Sequence, residues 1–447
     1  MSKETIIDWI ENNKHTYTAM AQNIWDKPQL AYQEEYASSL QMNALKQAGF
    51  SIKEKVNGID TAFIAEYGQG TPVIGILGEF DALPGLSQKP IPEKEEVTKN
   101  GPGHGCGHNL LGTAGVEAVI ALKEKMDAES LQGTIRYYGC PAEEVLSGKT
   151  YMAKTGVFDD LNCALTWHPM TSNAAMYKSM QSMVSIKFHF KGKPAHAAAS
   201  PESGRSALDS VEIMNIGVNY LREHVPDGTR MHYTITDGGQ APNIVPETAT
   251  VWYFLRASSK EEVEKILLRV KDIAKGSALI NDTEVESELL AFPYETLPNN
   301  PLNELMYLNM LKSNPLVYTE EEQRFAEKLA KTLPSAGKPV EELLPASISY
   351  KPYKAASMPG SSDVGDVSWI APMGMITTTC APKGTALHSW QATASFGTEI
   401  GYKGMHLAAS SMALTAYDLL INKDNILEKA KETFNELRGG KVYEAGI

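Results

Sequence analysis

Four apolar segments, each followed by side chains that can bind a metal, constrain the fold of this chain more than any other feature. They cover residues 73–77, 134–140, 163–167 and 375–379. The first segment is continuously apolar, which is typical of a strand buried on both faces of a sheet. Ligands of open α/β sheets bind at the carboxyl ends of the strands. We therefore predict a doubly wound α/β domain with a mixed sheet and a binding site at this edge.

The residues that follow the four segments are acidic side chains and histidines: Asp81, Glu143, Glu144, His168 and His388. Taken alone, two adjacent glutamates most often form a solvated turn, and a single histidine is most often a satisfied core residue. Their recurrence after separate strands favours a functional site over these interpretations, because those strand ends are expected to meet at one edge of the sheet.

The glycine-rich stretch Gly103–Gly112 supplies two further candidates, Cys106 and His108, which are one residue apart. Glycines let the backbone bend tightly around an ion, and the helix predicted over 111–126 places its positive dipole end beside the thiolate. A glycine-rich turn that buries a cysteine is an equally good interpretation of this stretch alone. Combined with the strand-end residues, the stretch predicts a centre for two divalent ions that share one bridging ligand.

Such a centre favours hydrolysis. One of the two adjacent glutamates would bind an ion, and the other would act as general base on the water that the ions activate. The chain lacks a His-Glu-x-x-His motif, a Gly-x-Ser-x-Gly nucleophile elbow and a Walker-type loop. A metal-activated water that attacks an amide is therefore the predicted chemistry.

Residues 183–295 are predicted to form a second domain inserted into the first. Their pattern predicts the order β-α-β-β-α-β, which is the ferredoxin-like arrangement. Ser259 with Glu262 matches a capping box at the start of the second helix of this domain. Candidate ligands lie on both sides of the segment, so the catalytic domain would comprise 1–182 and 296–447. A chain of 447 residues is long enough for two or three domains.

Charge and cysteine usage argue against several classes of partner. The formal net charge of -13 disfavours nucleic acid and an anionic membrane surface. The sequence has no apolar run of about 18 residues, which argues against a membrane span, and its charged N-terminus does not resemble a signal peptide. Four cysteines scattered at 106, 140, 163 and 380 suit a reducing compartment. We expect a cytoplasmic protein.

Four motifs together resemble a known family. They are Gly-Glu-Phe-Asp-Ala-Leu-Pro-Gly-Leu-Ser at 78–87, Gly-His-Gly-Cys-Gly-His-Asn at 103–109, Pro-Ala-Glu-Glu at 141–144 and Gly-Thr-Ala-Leu-His-Ser at 384–389. The chain resembles, over nearly its whole length, the amidohydrolase branch of the co-catalytic metallopeptidases. This branch contains aminoacylases, carboxypeptidase G and the auxin-conjugate hydrolases.

The resemblance implies a role for each residue of the metal centre. Two divalent ions, zinc or manganese, would be bound by a bridging thiolate and four further ligands: Cys106, His108, Glu144, His168 and His388. Glu143 would be the general base, and Asp81 would orient a ligand from outside the metal shell. His104 is left off the metal by the family pattern and could simply pack in the loop.

The resemblance also implies substrate-binding residues in the second domain. His196, in Gly-Lys-Pro-Ala-His-Ala-Ala at 192–198, would stabilise the developing oxyanion, often across a dimer. Asn243 would bind substrate, and Arg256 would hold a substrate carboxylate, although an ion pair at a strand end is an equally good interpretation of Arg256. Ser361 and Ser362, in Gly-Ser-Ser-Asp at 360–363, would line the pocket.

The implied activity is hydrolysis of an N-acyl amino acid such as p-aminobenzoyl-glutamate, with a role in folate catabolism. The alternatives are a dipeptidase for β-alanyl or related dipeptides and, from another class, a non-catalytic partner subunit of a heteromeric hydrolase. The implied assembly is a homodimer through the lid domain or a heteromer with a paralogous subunit. One departure from the family pattern is Val145-Leu146, where small residues are usual. Their bulk beside the base would reshape the substrate pocket.

Overall fold

The computed structural model describes residues 3–313, 315–334 and 342–447. The described α-helices are α1 (Glu4–Trp25), α2 (Glu35–Gln47), α3 (His108–Glu129), α4 (Gly148–Ala153), α5 (Ala207–Leu221), α6 (Lys260–Ile280), α7 (Asn300–Met310), α8 (Glu320–Ala330), α9 (Val364–Ile370), α10 (Trp390–Phe396), α11 (Glu399–Leu420) and α12 (Ile426–Arg438). The described strands are β1 (Ser51–Glu54), β2 (Phe63–Gln69), β3 (Val73–Glu79), β4 (Gly133–Cys140), β5 (Cys163–Met170), β6 (Asn173–Ala175), β7 (Ser179–Met180), β8 (Ser182–Lys191), β9 (Arg230–Asp237), β10 (Thr248–Ala257), β11 (Glu284–Ala291), β12 (Ile348–Ser349), β13 (Ser357–Met358) and β14 (Met373–Thr379).

The chain divides into two compact units. The first unit comprises Met1–Lys178, Leu297–Ala356 and Val367–Tyr443. The second unit comprises Ser179–Thr296, Ser357–Asp366 and Glu444–Ile447.

The second unit includes two segments that the sequence analysis assigned to the catalytic domain. Ser357–Asp366 belongs to it because β13 pairs with β7 in a two-stranded parallel sheet. Glu444–Ile447 belongs to it, and the Lys260 ammonium donates to the backbone carbonyl of Glu444 at 3.0 Å.

The first unit is built around an eight-stranded mixed sheet in the order β1-β2-β4-β3-β5-β14-β6-β12. β3 runs parallel to β4 and β5, and β5 runs parallel to β14, whereas β2 and β6 are antiparallel to their neighbours β4 and β14. Every residue of β3 is buried, as its continuous apolar sequence predicted. The prediction of an α/β fold with a mixed sheet is confirmed.

The parallel strands bring the candidate ligands to one edge. β3, β4, β5 and β14 end at Glu79, Cys140, Met170 and Thr379, and the carboxyl ends of parallel strands lie on the same side of a sheet. One boundary differs from the sequence prediction, because β5 continues past residue 167 to Met170, which pairs with Thr379 of β14. His168 therefore lies inside the end of a strand rather than after it.

The second unit contains an antiparallel sheet in the order β11-β8-β10-β9. In chain order this is strand four, one, three, two, and α5 and α6 supply the helices of the β-α-β-β-α-β arrangement. Ser259 caps α6 by accepting from the N–H of Glu262, but the Glu262 carboxylate binds Ser258 rather than Ser259. The ferredoxin-like fold is confirmed, and only half of the predicted capping box forms.

None of the helices in the described part of the chain combines the length and the apolar character needed to cross a membrane.

Candidate metal centre

Cys106 and His108 lie where the glycine-rich stretch enters α3. The helix begins at His108, and Gly107 before it takes a left-handed φ of +81°. A Cβ atom at position 107 would lie 2.9 Å from Pro169 Cγ, so both the conformation and the close approach require glycine there. This approach sets the two candidate ligands against the end of β5, which carries His168.

Two groups of three potential ligand atoms share the Cys106 thiol. One group is Cys106, His108 and His168, and the other is Cys106, Glu144 and His388; within each group the atoms lie within 4.8 Å of one another. Cys106 Sγ is 3.4 Å from His168 Nε2, and Glu144 Oε2 is 3.4 Å from His388 Nε2. The structure therefore brings all five predicted ligands together, with the thiol in the shared position.

His388 joins this centre from the loop that follows β14. Its backbone N–H donates to the carbonyl of Gly105 at 2.9 Å, which ties the loop to the glycine-rich stretch. Its side chain is 53% exposed, whereas those of His108 and Glu144 are 0% and 7% exposed. The centre is therefore closed on the His108 side and open to solvent at His388.

The spacing and the unsatisfied atoms of this centre fit divalent ions. At bond lengths of about 2.0–2.3 Å, two ligands of one tetrahedral zinc ion lie about 3.3–3.7 Å apart, which matches both 3.4 Å separations. Within the described residues, the buried atoms His108 Nε2 and Glu144 Oε1 make no hydrogen bond. Buried polar atoms are normally satisfied, and an ion would satisfy both.

The histidine tautomers also fit. His108 Nδ1 lies 2.8 Å from Asp81 Oδ1, and His168 Nδ1 lies 2.9 Å from the carbonyl oxygen of Pro169. Each acceptor holds a ring proton on Nδ1, so Nε2 is the nitrogen left to bind an ion. Burial lowers the pKa of His108, but Cys106 and Asp81 outweigh it and raise that pKa well above its usual value, so an ion would displace the proton on His108 Nε2.

Burial makes this centre unfavourable for charged ligands until a cation is present. Burial raises the pKa of the Cys106 thiol well above its usual range, and the Glu144 carboxylate raises it further. Burial also raises the pKa of Glu144 to about 8 and lowers that of His168 to about 4. A divalent cation would stabilise the thiolate and the carboxylate, because it supplies the missing positive charge.

The two adjacent glutamates face different neighbours. Glu144 lies with Cys106 and His388, whereas Glu143 lies in a separate group with Glu79 and His108. Glu143 Oε2 is 3.8 Å from His108 Nε2. Glu144 therefore lies in a group that contains Cys106, whereas Glu143 lies in a group that contains His108 but not Cys106.

Asp81 connects the two halves of the centre. One of its oxygens accepts from His108 Nδ1, and the other accepts the backbone N–H of Glu144 at 2.8 Å. His104, in contrast, is buried but belongs to none of the three ligand groups found among the described residues. Burial, with repulsion from His108, lowers the pKa of His104 to about 3, so it is neutral.

Sequence reasoning missed a buried ion pair beside this centre. Lys149 Nζ lies 2.5 Å from Glu79 Oε1, and Glu79 Oε2 lies 3.3 Å from His108 Nε2. Burial alone would raise the pKa of Glu79, but Lys149 and His108 hold it below its usual value. Glu79 stands in the motif at 78–87, yet nothing in the sequence indicated that Lys149 would form an ion pair with it.

Comparison with known proteins decides the family. A model of the peptidase dimerisation domain of the M20 class matches residues 179–281. The chain is 39% identical to one of the subunits of the p-aminobenzoyl-glutamate hydrolase of Escherichia coli K12, over 99% of this chain and 96% of that protein. The chain belongs to the M20 peptidase family. It is a metal-dependent hydrolase of amide or peptide bonds, and the predictions of family and of enzyme class are confirmed.

Two further similarities agree with this membership. The Xaa-Arg dipeptidase of Mus musculus is 27% identical, over 93% of this chain and 88% of that protein. The solved structure of a dinuclear metal-binding peptidase of the M20 family from Bacillus subtilis has a TM-score of 0.61. It is 16% identical and covers 92% of this chain and 99% of its own. This structural likeness supports the fold.

The second unit of this M20 peptidase brings His196 and Asn243 onto neighbouring segments. The N–H of Ala197 donates to the Asn243 carbonyl at 3.0 Å, and the N–H of Val245 donates to the Ala195 carbonyl at 3.0 Å. His196 Nδ1 accepts from the N–H groups of the two residues that follow Ala197. The proton of the neutral ring therefore lies on Nε2, which is the tautomer that can donate to an oxyanion.

The same unit brings Arg256 to the Gly360–Asp363 turn. Arg256 Nη1 lies 3.5 Å from Ser361 Oγ, and Ser362 Oγ accepts the N–H of Val364 at 3.3 Å. Arg256 lies opposite Arg230 in the pairing of β10 with β9, so its neighbour across the sheet is a like charge.

Proposed function

We propose that this M20 peptidase hydrolyses the amide bond of an N-acyl amino acid that carries a free carboxylate on its leaving side. The first candidate substrate is p-aminobenzoyl-glutamate, which would give the chain a role in folate catabolism. The observation that carries the proposal is the pair of ligand groups that share Cys106, with Glu143 beside them. The 39% identity to a protein named for this substrate supports the choice of substrate.

Two divalent ions would be held by the two groups, with Cys106 common to both. His108 and His168 would complete one site, and Glu144 and His388 the other. The cysteine and histidine ligands favour zinc, while the carboxylate leaves manganese open. When bound, the ions would lower the pKa of a water towards about 7 and polarise the substrate carbonyl.

The protein groups would then move the protons. Glu143 would take a proton from the attacking water and later return it to the leaving amine nitrogen. His196 Nε2–H would donate to the oxygen of the attacked carbonyl as negative charge develops there. Arg256 would bind the substrate carboxylate, because a guanidinium matches a carboxylate with two parallel hydrogen bonds. Asn243, Ser361 and Ser362 would complete the contacts to substrate.

We also propose a dimer formed through the second unit, of two identical chains or of this chain with a paralogue. β9 is one of the two edge strands of its sheet, and it exposes Tyr233 and Ile235, while α5 exposes Ile216 and Tyr220. Unpaired edge strands and exposed apolar side chains are typical of interfaces.

The four cysteines of the chain are buried and unbridged, which supports a cytoplasmic location.

Two alternatives are separated by a substrate panel. A dipeptidase is favoured by the 27% identity to an Xaa-Arg dipeptidase. A non-catalytic partner is suggested because the Escherichia coli relative is named as one component of a larger hydrolase, although the complete ligand set argues against it. The purified chain alone, loaded with zinc or with manganese, is offered p-aminobenzoyl-glutamate, N-acetyl-glutamate, β-alanyl dipeptides and Xaa-Arg dipeptides, and amine release is followed.

Turnover of p-aminobenzoyl-glutamate at the highest kcat/KM supports the proposal. Preference for either class of dipeptide transfers the function to the dipeptidase alternative. Metal binding without turnover of any substrate supports the alternative of a non-catalytic partner. Arg256→Gln tests the carboxylate contact and is expected to raise KM by about tenfold or more, the loss of a charge-assisted pair. Its matched control, Arg230→Gln, changes the arginine on the neighbouring strand and should leave KM unchanged.

A further inference from the structure

The turn that carries both glutamates, Pro141–Ser147, is here named the acidic turn. We propose that Tyr32 and Glu34 are positioning residues that anchor the acidic turn at both ends, and so hold Glu144 among the ligands and Glu143 beside them. The inference rests on the proposed function for the roles of these two glutamates. No feature of the sequence around residues 32–34 indicated such a role.

Glu34 anchors the first end of the turn. Its side chain is buried, and Oε1 accepts the backbone N–H of Ala142 at 2.9 Å and that of Tyr32 at 2.9 Å. Oε2 accepts the hydroxyl of Thr61 at 2.9 Å. A buried carboxylate is costly unless several donors satisfy it. Its three donors come from three separate segments, one of which is the acidic turn.

Tyr32 anchors the other end. Its hydroxyl shares a hydrogen bond of 2.6 Å with Ser147 Oγ. Tyr32 itself has a left-handed φ of +65°, and the bond from its N–H to Glu34 stabilises that conformation. Two residues separated by only one position in sequence therefore reach positions 142 and 147, which flank Glu143 and Glu144.

The acidic turn needs external support, because its own backbone is strained. Ala142 and Leu146 both have a φ of +57°, a conformation that side chains other than glycine adopt at an energetic cost. Two backbone hydrogen bonds span the turn, from Leu146 N–H to Glu143 O at 2.7 Å and from Ser147 N–H to Ala142 O at 3.4 Å. Such strain persists where surrounding contacts over-determine the backbone.

Close packing limits the alternatives open to this turn. Gly148 follows it directly, and a Cβ atom there would lie 1.8 Å from the carbonyl oxygen of Pro141. The Glu144 N–H is held by Asp81. If the end contacts to Tyr32 and Glu34 are removed, the strained residues can relax, and the two carboxylates move relative to Cys106 and His388.

The test compares Glu34→Ala, Glu34→Gln and Tyr32→Phe with the control Ser38→Ala. Ser38 is buried four residues after Glu34. Its hydroxyl donates to the carbonyl oxygen of Thr61 at 2.9 Å and not to the acidic turn. The measurements are kcat and KM, metal content per chain, unfolding by urea, and the visible spectrum of the cobalt-loaded protein. The cobalt spectrum depends on the position of Glu144 and needs no turnover.

For Glu34→Ala we expect a fall in kcat of about 10–100-fold, a KM within about threefold of wild type, and a shifted cobalt spectrum. Glu34→Gln, which keeps an acceptor for Ala142, should recover part of kcat and of the spectrum. Tyr32→Phe should lower kcat by a smaller factor at unchanged folding stability. Ser38→Ala should lose stability without either change.

The proposal is overturned if Glu34→Ala and Tyr32→Phe match Ser38→Ala in kcat and in the cobalt spectrum. It is also overturned if kcat falls only in proportion to the folded fraction. Because the spectrum reads the ligand geometry without a substrate, the anchoring is tested even if the wild-type chain hydrolyses none of the substrates offered. Failure of the proposed function and failure of the anchoring are therefore distinguishable.

Discussion

The carboxylate of Asp81 binds His108 Nδ1 through one oxygen, at 2.8 Å, and the backbone N–H of Glu144 through the other, also at 2.8 Å. A single buried side chain just past the end of β3 thus connects the start of α3 with the turn after β4. Both oxygens act as acceptors, so an amide in this place can satisfy only one of the two donors.

Asp81→Asn is therefore expected to weaken metal binding and to lower kcat/KM by about 10–100-fold, the usual cost of losing such a partner. Competition with a chelator measures the metal affinity, and kcat/KM measured at saturating metal tests the effect on catalysis separately. Asp160→Asn is the matched control, because Asp160 pairs with Arg136 at the surface. Equal metal affinity and equal kcat/KM in the two variants would show that Asp81 does not position His108 and Glu144.

Cys106 belongs to both ligand groups, whereas His388 belongs to one. Cys106→Ala is therefore expected to lose both ions at metal concentrations that saturate the wild type. His388→Ala should lose one ion and retain the other, since its ligand group does not include His108 or His168. Metal analysis after dialysis counts the bound ions. A Cys106→Ala chain that retains two ions would exclude Cys106 as the bridging ligand.

Glu143 belongs to neither of the two ligand groups that share Cys106. Glu143→Gln should keep the fold and the metal content but lower kcat by about 10²–10⁴-fold, the range for loss of a general base. Glu144→Gln should instead lower metal content first. Near-normal turnover of Glu143→Gln would assign the base to another group.

His196 has the tautomer of an oxyanion donor, and the resemblance implies that such a histidine often acts across a dimer. Chains with His196→Ala or with Glu143→Gln should each be inactive. After mixing under conditions that exchange subunits, about half of the dimers are hybrids with one complete site, so about a quarter of the wild-type activity should return. No recovery, with exchange verified by mass, would place His196 in the active site of its own chain.

A buried pair away from the metal centre predicts a pH dependence of stability. His406 Nδ1 lies 2.9 Å from the Glu117 carboxylate, and His406 Nε2 lies 3.0 Å from Thr18 Oγ1. Burial lowers the pKa of His406, but Glu117 outweighs this and raises it above 6.5, with a further push upwards from Glu11 and a smaller opposing effect from Lys14. Burial raises the pKa of Glu117 above 4.5, against the opposing effect of His406.

Both groups thus bind protons more tightly in the folded chain. Their contribution to the free energy of unfolding is therefore largest at low pH and falls as pH rises above 4.5 for Glu117 and above 6.5 for His406. Urea unfolding between about pH 6 and pH 9 should show this decline in the wild type and a flatter profile in the double variant Glu117→Gln, His406→Gln. Parallel profiles for the two proteins would contradict the assignment.

The sequence predicted the mixed α/β sheet and the ferredoxin-like order of the second unit because both leave local periodic signals. The apolar run 73–77 and the alternation in 184–190 report burial on two faces and on one face of a strand. The end of a strand depends on a partner strand that is distant in sequence. β5 extends past residue 167 because its partner β14 continues the pairing to Met170. The β13–β7 pairing, which lies in the second unit, likewise joins residues far apart in the chain.

The five candidate ligands could be named from the sequence because cysteine, histidine and adjacent glutamates at strand ends are chemically distinctive. Their division into two groups with a shared thiol follows only from the packing of four chain segments against one another. Glu34, Lys149 and Glu79 carry no such distinction, because an acidic or basic residue in sequence looks the same whether it is solvated or buried in an ion pair. What the sequence determined by itself is which chemistry is available and along which strands. Only the tertiary structure decided which of these groups meet, since the contacts join residues tens to hundreds of positions apart.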